Sequence, residues 1–188
     1  MDKRARENGR KTFLHAPALW VRYDRPVTAR FRGFALAAVF ASSASVFAAE
    51  EPAIVELRVL SSRIAHDIVL AAVQACAKWG YKVSASVVDR NGNLSAFLRD
   101  PLSGPHTVKV SQQKAFTSAT SQMSTAQLSS RADLNFAPDM LLIVGGVPIK
   151  FNGHFYGGVA VAGATPEIDE KCAEAGIEAV SGTMEFVE

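Results

Sequence analysis

The side chains in this sequence that could do chemistry are a few imidazoles, two cations beside a loop, and two thiols. Beyond residue 48 the histidines are His66, His106 and His154. A neutral imidazole is the commonest protein ligand for iron or haem iron, so these are the candidates for metal ligation, with His106 and His66 ahead of His154. His106 lies in the step Pro105-His106-Thr107, where Thr107 can cap a helix. A loop that opens a helix exposes its side chains, and the free N–H groups there attract an anion such as a carboxylate or propionate. The plainer reading of His106 is an exposed neighbour of a cap. That of His66 is a hydrogen-bonded histidine at an interface. His154 follows the turn Asn152-Gly153 and reads as solvated. Arg99 and Lys109 flank the same loop as His106 and could pair with carboxylates through charge-assisted hydrogen bonds, or simply form a solvated face. No serine stands in a nucleophile-elbow pattern, and no ordered pair of acid and base is visible in the spacing.

The chain has 188 residues, 48% of them hydrophobic, enough for one ordinary core. Nine of its 20 Lys and Arg residues precede position 33, against three of its 18 acids. The remainder therefore carries 11 basic and 15 acidic side chains, a net −4. A mildly acidic domain without a basic stripe is a poor holder of phosphate backbones, which excludes nucleic acid as a partner. Arg30 and Arg32 precede a short apolar run and then small residues through Val46-Phe47-Ala48, the order of a secretory signal with cleavage after Ala48. The polar lead before it is long for a signal, consistent with synthesis starting near Val27. Residues 1–48 are read as an extension plus signal, 49–60 as a linker, and 61–188 as the working domain, periplasmic or extracellular. In that setting Cys76 and Cys172 either bridge, if the first and last helices are neighbours, or are two small buried hydrophobes.

The elements that must position these groups are legible in the periodicity. Val83, Ala85 and Val87 alternate with Ser84 and Ser86, Asn91-Gly92 turns the chain, and Leu94 to Leu98 returns, making a hairpin with one buried face. Before it, Ser61 or Ser62 caps a helix with two apolar stripes, the second suggesting a subunit interface, and Gly80 ends it. After it come a helix from Thr107 through Met123 whose inward positions are small, a short helix over 124–134, a strand over 140–144, a strand opened by Pro148, a turn at Asn152-Gly153, a strand over 155–162, and a helix from Thr165-Pro166 to about Val180. The sum is an α+β domain with a five-stranded antiparallel sheet and helices across it.

The motifs VVDRNGN, LRD-PL-SGP, KAFTSAT, LLIVGGVPI and GGVAVAGA, followed by Asp169 and Ala173, resemble the HbpS/GlcG family in unbroken order from Leu60 to Val180. The resemblance implies a profilin-like α–β–α fold and a homo-oligomer as high as an octamer. For exported members it implies non-covalent binding of haem, in some cases with haem breakdown or iron and cobalamin binding, beside a membrane sensor. It also points to a threonine as an iron contact, matched here by Thr117 or Thr125. The chain departs from the family pattern at Arg99-Asp100-Pro101-Leu102 and at Ala162, in the region expected to shape the pocket. The expected function is haem binding near the Arg99 to Thr107 loop and the second helix. The alternative is an enzyme, or an accessory to one, acting on a small carboxylated metabolite with His106 as acid or base.

Overall fold

The computed structural model describes residues 52–186. The proposed signal and its cleavage point lie outside the described residues. Helix α1 (Ser62–Lys78) starts where Ser61 Oγ accepts the Ile64 N–H at 3.3 Å and stops at Gly80, which takes a left-handed φ of 83°. Strands β1 (Ser84–Asp89) and β2 (Leu94–Arg99) form the expected hairpin. Helix α2 (His106–Ser121) follows, then a turn-rich stretch with a short 3-10 helix at Ala132–Phe136. Strands β3 (Gly146–Phe151) and β4 (His154–Ala162) make a second hairpin through Asn152 and Gly153, both at positive φ as a type I′ turn requires. Helices α3 (Pro166–Glu178) and α4 (Ser181–Met184) close the chain.

The sheet has four strands, all antiparallel, in the order β2-β1-β4-β3. The expected fifth strand over 140–144 does not form. That apolar run lies against α2 instead, and the Leu141 N–H donates to Thr117 Oγ1 at 2.7 Å rather than to a neighbouring strand. Residues 124–134 likewise fold as turns before the 3-10 helix, not as a helix. Pro148 sits in β3 at the sheet edge, where its missing N–H costs no ladder bond.

Helices α1 and α3 cover one face of the sheet and α2 the other, giving the expected α–β–α layers. The hairpin is therefore not buried on one face only. Ser84 and Ser86 are fully buried under α2, where Ser84 Oγ meets Thr107 Oγ1 at 2.7 Å and Ser86 Oγ meets Ser111 Oγ at 2.8 Å. The small residues of α2 let it lie very close to the sheet: a Cβ on Gly158 would come within 2.4 Å of Ala115 O, and one on Gly146 within 2.5 Å of Lys114 O.

The second apolar stripe of α1 is covered only in part within the chain, with Leu70 half-buried and Ala77 exposed. Val69 is wholly buried and Val73 packs on the core, and α3 lies alongside, its Gly176 so close that a Cβ would come within 2.7 Å of Ile68 O. Cys76 and Cys172 form a disulfide there, with Cα atoms 5.6 Å apart. It closes a sequence separation of 96 residues, so its loss is expected to cost about 5 kcal/mol by loop-closure entropy. A clearly lower urea midpoint for the Cys76→Ser/Cys172→Ser protein is the check.

Asp89 organises the first hairpin turn: Oδ1 accepts the N–H groups of Asn91 at 2.8 Å and Asn93 at 2.9 Å, and Oδ2 accepts Asn93 Nδ2 at 3.1 Å. Partial burial pushes this carboxyl up, but the bonds from Asn93, Asn91 and Gly92 outweigh it and hold it below its ordinary 3.8. A depressed carboxylate stabilises the fold above its unfolded-state value and loses that contribution as pH falls through the folded one. The stability difference between the wild type and Asp89→Asn is thus expected to shrink between about pH 5 and about pH 2 in denaturant titrations.

Candidate functional site

Reading the buried face of α2 along the helix gives Thr107, Ser111, Lys114, Ala115 and Ser118, so a lysine occupies a position that helical spacing turns inward. Lys114 is 1% exposed. Its ammonium donates to Asp169 Oδ2 at 2.8 Å and to Val161 O at 2.8 Å, where β4 runs past the start of β3. Asp169, in the first turn of α3, uses its other oxygen to accept the Ala164 N–H at 3.0 Å. The pair thereby joins the helix on one face of the sheet to a helix on the other. Gly145 permits it, since a Cβ there would come within 2.6 Å of Lys114 Nζ and 2.8 Å of Asp169 Cβ.

Burial pushes the Lys114 ammonium down and the Asp169 carboxyl up from their ordinary values, and each partner's charge opposes the other's shift. A buried lysine beside a buried carboxylate is the acid–base pair that spacing alone did not reveal. It borders a cavity of about 280 Å³ whose α2 wall is His106, Val110 and Lys114, four residues apart, and whose other wall is Ala162 to Ala164, Pro166 and Asp169. Ile143 completes it.

Of the sequence-predicted residues, only His106 lines this cavity. His106 is the first residue of α2, exposed, and on the cavity wall. Lys109 is exposed and lines a different cavity of about 290 Å³, with Val88, Leu94, Gln113, Phe116 and Asp139. Arg99 is half-buried and donates through Nη2 to Ser103 O, while its Nε is buried without a partner. It holds the loop before α2. Thr107, Thr117 and Thr125 are buried with their hydroxyls engaged. Thr107 donates to Gly104 O at 2.6 Å, Thr117 donates to Gln113 O at 2.7 Å, and Thr125 accepts the Gly146 N–H at 2.9 Å. None of the three lines the cavities described. His66 is exposed on α1, 3.6 Å from its neighbour Asp67, in the layer across the sheet from His106, so the two are not brought together. His154 is exposed at the start of β4. Among the described residues no group of three or more His, Cys, Asp or Glu side chains converges on a point where a bare metal ion could sit.

The model of the family described as "Haem degrading protein HbpS-like" matches residues 60–178. The chain belongs to the HbpS-like family. It is 31% identical over 109 residues to Protein GlcG of Escherichia coli (strain K12), covering 55% of this chain and 81% of that protein. Its fold is similar to the crystal structure of HbpS, at 33% identity and a TM-score of 0.66, over 71% of this chain and 98% of that one. A double mutant of Streptomyces reticuli HbpS gives 34% identity and a TM-score of 0.66, over 73% and 98%. A PduOC–haem complex shares the fold at 23% identity and a TM-score of 0.60, over 65% of this chain and 95% of that one. Lys114 and Asp169 both lie inside the stretch that matches the HbpS-like family.

Breaking the pair by Lys114→Met leaves a buried carboxylate without its cation, with an expected loss of about 3–5 kcal/mol. The double variant Lys114→Met/Asp169→Leu removes both charges and is expected to regain most of that loss. Urea denaturation of both proteins beside the wild type measures it.

Proposed function

We propose that this HbpS-like protein binds haem non-covalently, with His106 as the iron ligand and Lys109, three residues along α2, available to a propionate. The observation that carries this reading is the position of His106. It is an exposed imidazole at the wall of a cavity that also presents the apolar Val110, Ile143 and Pro166 beside the Lys114–Asp169 pair. An imidazole beside an apolar surface, with a cation on the neighbouring turn, is a donor set suited to a porphyrin. Bound there, the group would supply redox and oxygen chemistry; the chain's own part is to ligate, orient and shield it. The family's description and the haem complex of PduOC support the ligand.

Export belongs to the same reading. A disulfide inside the packed α1–α3 interface suits an oxidising compartment, where such bonds persist. Homo-oligomerisation and contact with a membrane sensor extend it, and the edge strand β2 presents exposed Leu94 and Phe97 for such contacts.

The test is a haemin titration of the protein followed at the Soret band. A saturable shift at a fixed ratio to protomers is expected. His106→Ala should weaken it by at least about tenfold, as the loss of an axial ligand would, with His66→Ala unchanged. Absence of saturation overturns the reading, and equal affinity in His106→Ala moves the iron elsewhere.

A further inference from the structure

An ion pair taken out of water contributes little net stability, and a pair of apolar side chains of similar volume does as well or better. Lys114 and Asp169 therefore call for a reason beyond holding the layers together, and their position on a cavity wall suggests one. An ammonium has three protons to donate; two are used, on Val161 O and Asp169 Oδ2, which leaves one. The carboxylate that accepts from it is 2.8 Å away, close enough to take a proton directly. The cavity, of about 280 Å³, has room for a small molecule beside Lys114. Besides His106, its remaining side-chain walls, Val110, Ile143, Ala162, Ala164 and Pro166, are apolar.

We propose that this cavity takes a small aldehyde or ketone and that Lys114 joins it as an imine, with Asp169 carrying the protons. The inference concerns Lys114 in the cavity whose wall also carries His106, and it requires no iron. Lys114 first passes a proton to Asp169 and becomes a neutral amine. Its Nζ attacks the carbonyl carbon, and the C=O π electrons move to oxygen, which takes the proton from Asp169. Asp169 then removes one proton from the nitrogen and returns it to the hydroxyl. The C–O bond breaks, one water leaves, and a protonated imine remains paired with the Asp169 carboxylate. Nothing is oxidised or reduced, and the charges at the end are those at the start: one cation on nitrogen, one carboxylate. Burial favours the first step by pushing the ammonium down and the carboxyl up, so less is lost in moving the proton between them.

The experiment is reductive trapping on the full-length, haem-free protein. Acetaldehyde serves as the neutral probe and pyruvate as the anionic one, each with cyanoborohydride at neutral pH, and the extent of alkylation at each lysine is read by peptide mass spectrometry. Lys114, among the least exposed lysines, is expected to be alkylated clearly faster than the exposed Lys82, Lys109 and Lys150, since burial pushes its ammonium down and the carboxylate 2.8 Å from its Nζ can take the proton, which leaves more of the free amine available. Lys114→Arg keeps a cation for Asp169 while removing the amine, and should abolish the fast reaction. Asp169→Asn should slow it by about 100-fold if the carboxylate moves the protons. Alkylation of Lys114 no faster than of the surface lysines, with both probes, overturns the proposal. That reading needs only the wild type, so it holds even if a variant does not fold. Because no haem is present, failure here leaves the haemin titration standing, and failure of that titration leaves this result standing.

Discussion

A lysine ammonium and a carboxylate withdrawn from water must find each other, and in this protein the elements around Lys114 and Asp169 are arranged so that they can. The lysine comes from α2 on one face of the sheet and the aspartate from α3, which packs on the opposite side. They meet at the end of β4, with Val161 O and the Ala164 N–H completing the set of partners. The glycines around them follow from that meeting: Gly145 lets backbone pass beside the ammonium, and Gly146 and Gly158 let α2 settle on β3 and β4. The cost of desolvating the two charges is offset only while all of these approaches hold, which makes the pair a sensitive reporter of how the layers are joined.

The two faces of the sheet are built by different means. Beneath α1 and α3 the core is aliphatic, formed by Ile64, Ile68, Val69, Val83, Val87, Val159 and Val161, and it is tied by the Cys76–Cys172 disulfide. Beneath α2 the contact is small and polar. Hydroxyls of Ser84 and Ser86 bond those of Thr107 and Ser111, and only Val88, Ala115, Ala119 and Ala160 supply a modest apolar cluster. Small apolar area means weaker hydrophobic stabilisation per residue, so the hydroxyl pairs carry more of the attachment of α2. The candidate site lies on this second, more polar face.

Several features of the site were legible before any coordinates. His106 was placed at a helix start from the Pro-His-Thr step, and it does open α2 and border a cavity. Lys114 was open to the same reading, because it falls on the helical stripe of Thr107, Ser111 and Ser118. A lysine is so commonly exposed that helical spacing alone does not single one out as inward. Thr117 and Thr125 look like free hydroxyls in sequence, yet each is engaged by a backbone group from 21 or more positions away. No local pattern carries that information.

From the sequence alone come the first, second and last long helices in their order between the two hairpins, the two hairpin turns, the helix boundaries set by Ser61, Gly80 and Pro166, and the family. These rest on local φ preferences, capping chemistry and hydrophobic period, all contained within a few neighbouring residues. Tertiary structure alone decided that 140–144 would lie against α2 rather than join the sheet, that β1 would be buried on both faces, and that α3 would meet part of the wide apolar surface of α1. It also decided that Cys76 would reach Cys172 and that Lys114 would reach Asp169. Each of these joins residues far apart in the chain. Which partner an apolar or charged group finds depends on the surface that folding brings opposite it, and the spacing of its own neighbours does not encode that surface.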